Sequence, residues 1–254
     1  ITEDKKGRMW ICTEGGGLNM LDTESGEIRQ FRSGKFPYFM PHTNLKCINY
    51  DKAKDILYIG STSKGLFAYD IGKNKFRNIV NGEKGNKSLA FINAIERYED
   101  KLFLSTREGI FIHDGASGKD SLFWETKSSN FTPMVADSRE HLWIGAQESV
   151  ELYNIANLKL LRSYSLKKAG EAPCRPLRIF RTENGDIYAS TYGHGIFKLD
   201  KDADSFTLFI DNNSSLLSNY CFRLEESRSG HIIVSGEKGL NIFSRSGRLL
   251  HSYL

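Results

Sequence analysis

The side chains with the greatest chemical reach sit in one short turn, "TYGHG", where Tyr192 and His194 stand between glycines. An aromatic face beside hydrogen-bonding groups suits a sugar ring, whose C–H face is apolar and whose hydroxyls need directed partners. Comparable turns recur along the chain, carrying Glu14, then Ser63 and Lys64, Arg107 and Glu108, Gln147 and Glu148, and Glu237 and Lys238. Of these, Arg107, Gln147, Glu148 and Lys238 join Tyr192 and His194 as candidate ligand contacts. Their charges are mixed in sign, as on a solvated rim, and a basic cleft for an acidic sugar would require several to converge. The segment "RSGKFPYFMPHTN" adds Phe36, Tyr38, Phe39 and His42, aromatics suited to covering a sheet edge.

Catalytic chemistry finds little support. The sequence contains no G-x-S-x-G, H-E-x-x-H or phosphate-binding loop motif. Asp70, Asp114, Asp137 and Asp200 fall at recurring turn positions, as structural acids do. A hydrolase or lyase needs one or two acids or a histidine without counterparts. Only His194 and Glu148 qualify, and no catalytic residue is assigned. Cys12, Cys47, Cys174 and Cys221 lie 35, 127 and 47 residues apart, with no C-x-x-C pair and no histidines at ligand spacing. They read as core-filling thiols, with a disulfide between two of them left open; neither a metal nor a cofactor is expected.

The elements that position these groups come from a chain of 254 residues with 35 basic and 31 acidic side chains, a net charge of +4. At 39% hydrophobic and 12% aromatic, it has the means to bury a core. The positive charge is dispersed, which argues against nucleic acid as a partner, and no apolar run is long enough for a membrane-inserted helix. The sequence opens on Ile1 with no signal-peptide pattern, so it is read as a fragment of a longer protein. The sequons at Asn86, Asn130, Asn212 and Asn213 are read as incidental.

A short apolar segment recurs as "RMWICT", "ILYIGST", "LFLST", "LWIGA", "IYAST" and "IIVSG". Its anchors are Trp10, Tyr58, Phe103, Trp143, Tyr188 and Ile233, spaced by 48, 45, 40, 45 and 45 residues. A second segment follows each anchor, starting at Gly16, Gly65, Gly109, Ser149, Gly195 and Gly239. A strand such as "KCINYD" or "YCFRLE" precedes the anchor, and a weaker one such as "KFRNI" or "SFTLF" closes the unit. Short β-branched and aromatic runs between turn residues, with no helical periodicity, predict an all-β chain. Four strands in 40–50 residues make a propeller blade, whose two apolar faces are buried only by stacking on its neighbours. The chain is therefore predicted to be a β-propeller of four-stranded antiparallel blades. One domain spans 1–254, with blades near 1–34, 45–80, 90–125, 132–165, 175–210 and 219–254. Small residues near the end of the anchor strand (Gly60, Ser105, Gly145, Ser190 and Gly236) are expected where strands crowd, with Cys12 in the same place. The glycine opening each second segment is expected at positive φ.

The stretches "EDKKGRMWICTEGGGLNMLD", "DILYIGSTSKGLFAYD" and "DSREHLWIGAQESVELYN" resemble the two-component regulator propeller repeat, and looser copies extend the resemblance over the chain. Propeller repeats with a Trp-Asp signature fit less well, because the sequence has no Trp-Asp pair. The resembled repeat builds the sensor regions of hybrid two-component systems. What it implies is a periplasmic sensor segment of a hybrid histidine kinase, recognising an oligosaccharide and working as a homodimer in the parent protein. It carries no invariant ligand residue and so transfers no site. The alternatives are a propeller scaffold that binds nothing and transmits signals through dimerisation, or a propeller glycan lyase or hydrolase.

Overall fold

The computed structural model describes residues 1–31, 40–126, 132–137, 140–168, 170–211 and 215–254. Phe36, Tyr38, Phe39, Asn130, Asn212 and Asn213 lie outside them. The first four-stranded sheet is β1 (Thr2–Glu3), β2 (Met9–Thr13), β3 (Gly17–Leu21) and β4 (Ile28–Phe31). The second is β5 (Leu45–Asp51), β6 (Ile56–Ser61), β7 (Gly65–Asp70) and β8 (Lys75–Asn81). The third is β9 (Ala94–Tyr98), β10 (Lys101–Ser105), β11 (Gly109–Asp114) and β12 (Asp120–Glu125). The fourth is β13 (Met134–Ala136), β14 (His141–Gly145), β15 (Ser149–Asn154) and β16 (Leu160–Ser165). The fifth is β17 (Pro176–Arg181), β18 (Ile187–Thr191), β19 (Ile196–Asp200) and β20 (Ser205–Ile210). The sixth is β21 (Cys221–Glu226), β22 (Ile232–Gly236), β23 (Gly239–Phe243) and β24 (Leu249–Tyr253). Each is an antiparallel meander in chain order, so the fold is the expected six-blade β-propeller class. The helical content among the described residues is one short 3₁₀ turn, Lys87–Leu89.

The chain divides into two compact units, Ile1–Phe131 with blades 1 to 3 and Thr132–Leu254 with blades 4 to 6. Inside each unit the cores lie between consecutive blades. Trp10, Phe31, Leu57 and Tyr69 join blades 1 and 2, while Tyr58, Ala68, Leu102 and Phe111 join blades 2 and 3. In the second unit Trp143, Tyr164, Ile187 and Leu199 join blades 4 and 5, and Tyr188, Ile196, Leu224 and Val234 join blades 5 and 6. The anchor strands β6 and β18 are buried at every residue, because a blade stands against each face. The last strands are mostly exposed.

The turn chemistry follows the sequence closely. Asp70, Asp114 and Asp200 each accept backbone N–H groups of the next turn, at 2.7–3.0 Å. The glycines of the anchor strand are sterically required. A Cβ on Gly145 would lie 2.4 Å from Pro133 Cγ, and one on Gly60 would lie 2.4 Å from Cys47 Sγ. The glycine expectation holds at Gly65, Gly109, Gly195 and Gly239, but in blade 1 positive φ belongs to Gly17 and not to Gly16. The cause is register: Gly17 pairs with Thr13 and is the residue pressed against the fourth strand, where a Cβ would lie 2.6 Å from Phe31 O. Ser149 opens the second segment of blade 4 without positive φ.

All four cysteines are free thiols. Cys174 donates to Leu166 O at 3.2 Å, and Cys47 to Ile92 O at 3.5 Å. Burial pushes the Cys174 thiol up to about 11 and those of Cys12 and Cys221 up to about 12.

Candidate functional site

In each blade, the turn between the second and third strands is closed by a side-chain latch or by backbone alone. The hydroxyls of Thr13, Ser61, Thr106 and Thr191 donate to the carbonyls of Gly17, Gly65, Gly109 and Gly195, at 2.8–3.1 Å. In blades 1, 3 and 5 the residue after the latch is exposed. In blade 5 that residue is Tyr192, which is 62% exposed. Its backbone bridges Tyr220, just ahead of β21, and the two rings meet edge-to-face with centroids 4.6 Å apart at 79°. Glu237 N donates to Tyr220 O at 3.1 Å, and Ser218 Oγ to Glu237 Oε2 at 3.2 Å, which ties the platform to the next blade's turn.

The same bridge in the first unit joins Glu14 to Asn44. One backbone device thus carries a polar pair between blades 1 and 2 and an exposed aromatic pair between blades 5 and 6. His194 stands beside this platform with Nδ1 3.3 Å from Glu171 Oε2. Gln147 and Glu148 are exposed in the turn of blade 4, and Lys238 in that of blade 6. No hydrogen bond or ion pair among the described residues joins these three to Tyr192 or His194. Arg107 belongs to the other unit, where its guanidinium lies 4.7 Å over the Phe91 ring, and His42 Nε2 lies 3.3 Å from Ser63 Oγ. Tyr220 was not among the sequence candidates. It reads as the start of an inner strand, and only the backbone bridge brings it beside Tyr192.

A second concavity lies at the opposite strand ends of blades 4 and 5. It is a cavity of about 290 Å³ with Trp143, Tyr164, Leu152, Ile187 and Leu199 as apolar wall. Polar groups come from the first-to-second strand turns, through Asp137, His141, Arg181, Glu183 and Asn184, and from the third-to-fourth strand turn, through Lys201 and Asp204. Asp137 accepts the indole N–H of Trp143 at 3.1 Å and lies 3.1 Å from His141 Nδ1. Tyr164 stacks on Trp143 with centroids 5.8 Å apart and donates its hydroxyl to Asp204 Oδ1 at 3.0 Å. The Asp137–Trp143 bond repeats that of Asp4 and Trp10, at 2.8 Å, so it belongs to the blade and not to a ligand. None of the turn candidates lines this cavity. Among the described residues no group of histidine, cysteine and carboxylate side chains could hold a metal ion, and no helix is long and apolar enough to cross a membrane.

No protein-family model matches the sequence, and no curated protein matches it. Solved structures do match. The chain is similar to the extracellular domain of BT4673 from B. thetaiotaomicron, a protein named in one crystal structure as a one-component system and in another as a hybrid two-component system. The first superposes with a TM-score of 0.64 at 16% identity, over 94% of this chain and 37% of that one. The second gives 0.64 at 17% identity, over 95% and 37%. The chain thus spans little more than a third of the length of these two neighbours. The computationally designed Ika8 protein also matches, with a TM-score of 0.64 at 10% identity, over 99% of this chain and 72% of that one. By fold, the chain is a β-propeller of the kind that builds the extracellular domain of BT4673.

Proposed function

We propose that the chain is an extracytoplasmic ligand-recognition segment of a hybrid two-component sensor, that it performs no chemistry, and that its ligand is an oligosaccharide. The observation that carries this reading is the exposed Tyr192–Tyr220 pair, placed where the equivalent bridge in the first unit has Glu14 and Asn44. Aromatic faces turned to solvent beside His194, Glu171 and Glu237 offer a sugar an apolar surface ringed by donors and acceptors. The fold match to an extracellular domain supports the sensor setting and a periplasmic location. Gln147, Glu148 and Lys238 are further candidate contacts in the same unit, and Arg107 is a candidate contact of the first unit, considered by itself. In the parent protein the signal passes through a homodimer, as a shift between two arrangements that bind the ligand unequally.

The test is thermal unfolding of the chain against a panel of plant and host oligosaccharides. A ligand at 100 times its dissociation constant adds about 2.7 kcal/mol, which moves the midpoint of a domain this size by roughly 5–10 °C. One glycan is expected to give a saturable shift, which Tyr192→Ala reduces at least tenfold in affinity while leaving the unliganded midpoint in place. Silence across the panel with a folded protein overturns the oligosaccharide reading.

A further inference from the structure

The cavity of blades 4 and 5 has a built-in control, because the same position between blades 1 and 2 is filled. Pairing registers define the equivalence. Tyr50 and Arg181 both pair with the residue before the anchor, Leu57 and Ile187 respectively. Tyr69 and Leu199 both follow the residue that pairs with the anchor. In the first unit Tyr69 is 3% exposed and its ring packs on Trp10, Phe31 and Phe76, with centroids 5.6, 5.3 and 4.4 Å away. Tyr50 closes the rim there, donating to Asp55 Oδ1 at 2.8 Å. In the second unit Trp143, Tyr164 and Phe206 repeat three rings of that cluster, but Leu199 stands where the fourth ring would be and Arg181 where the closing tyrosine would be. Relative to the filled interface of blades 1 and 2, two side-chain differences therefore open this one and place a guanidinium in it.

The charges then select a ligand. Asp137 is engaged by His141, Lys201 by Asp186, and Asp204 by Arg162 and the Tyr164 hydroxyl. Arg181 and Glu183 have no ion-pair partner among the described residues, although both line the cavity. Arg181 ends β17, half-buried, and Glu183 stands exposed in the turn that follows, two residues on; both line the cavity. A half-buried cation without a counterion weakens a fold unless something answers it. Here the unanswered groups are one cation and one anion, above a floor of Trp143, Tyr164, Leu152 and Leu199. At about 290 Å³, the space lies at the lower limit of ligand pockets and fits a body of one residue, not a sugar chain.

We propose that this cavity binds a small zwitterion with an apolar body, of the α-amino acid class. The carboxylate is held by the Arg181 fork, the ammonium by Glu183, and the side chain lies against Trp143, Leu152 and Leu199. The site is separate from the Tyr192 surface, and its failure would leave the oligosaccharide reading untouched.

Isothermal calorimetry on the whole chain tests it with L-phenylalanine and L-leucine, against phenethylamine and 3-phenylpropionate, which lack the carboxylate and the amine. At least one of the amino acids is expected to bind saturably, and each truncated analogue at least tenfold more weakly. Arg181→Gln and Glu183→Gln should each weaken the amino acid at least tenfold. Leu199→Tyr, which restores the residue of the filled interface, should abolish binding without lowering the melting midpoint. If that variant fails to fold, Leu199→Phe and the two rim variants carry the test. No saturable heat with either amino acid up to about 10 mM overturns the proposal. So does binding that survives Arg181→Gln, or 3-phenylpropionate binding as tightly as phenylalanine.

Discussion

Single residues in this chain divide by whether the repeat dictates them. Asp4 and Asp137 hold the indole of the blade's tryptophan, and Asp70, Asp114 and Asp200 turn the chain into the fourth strand. The turn roles were legible because an acid recurring at the end of the third strand does the same local work each time, whereas the indole contacts of Asp4 and Asp137 were not read from the sequence. Tyr220 and Arg181 were not legible in that way, since each matters through a partner some 30 to 40 residues away or through a ring that is missing elsewhere. The cysteines sit between these cases. Their isolation in sequence pointed to packed thiols, and burial does raise Cys174 to about 11. At pH 8 that lowers its thiolate fraction roughly a hundredfold against a free cysteine. Iodoacetamide labelling followed by mass spectrometry should therefore leave Cys174 and Cys221 unmodified in the native chain and label both in denaturant. Rapid native labelling of Cys221 would mean that its strand opens readily.

At the scale of the element, the blade is held by a few contacts that tolerate no extra atom. Gly65 adopts φ +90°, and a Cβ there would lie 2.1 Å from Val80 O, at the start of the third strand against the fourth. Gly65→Ala should therefore lower stability by about 2–4 kcal/mol, through strain and a displaced β8. Chemical unfolding monitored by tryptophan fluorescence measures it. Gly26, equally at positive φ but with open space around it, provides the milder comparison at about 1 kcal/mol. A smaller loss at Gly65 than at Gly26 would show that the third-to-fourth strand contact is soft. The element boundaries were readable because the anchor strands of blades 2 to 5 are buried almost throughout and so read as nearly unbroken apolar runs. The hollow between blades 4 and 5 was hidden for the same reason. Tyr69 and Leu199 both read as hydrophobic positions in a strand pattern, and they differ in volume and in the hydroxyl that Tyr69 donates to Asn74.

For the whole molecule, acid is the informative variable. Burial alone would raise the carboxyl of Asp4, but the Trp10 indole, Arg8 and two backbone N–H groups outweigh it and hold it below the usual range. Asp186 is likewise held down, its burial outweighed by Lys198 and Lys201, and Asp55 by Lys5 and the Tyr50 hydroxyl. A carboxyl whose folded pKa lies below its unfolded one adds stability that is complete above about pH 4–5 and is lost as pH falls through the folded value. The melting midpoint should thus be flat from pH 7 to about 5 and fall steeply below about 4. Asp4→Asn should lower the midpoint at neutral pH and flatten that acid limb, whereas a midpoint unchanged down to pH 3 would refute the linkage.

The bridge between successive blades has a consequence for how such a protein changes over generations. At Glu14–Asn44 and at Tyr192–Tyr220 the same link is made by main chain alone. Inheritance can therefore rewrite the two side chains at each link without touching the architecture that displays them. A chain of repeats built this way is a keyboard of paired positions, on which a lineage can try new surface chemistries one blade at a time.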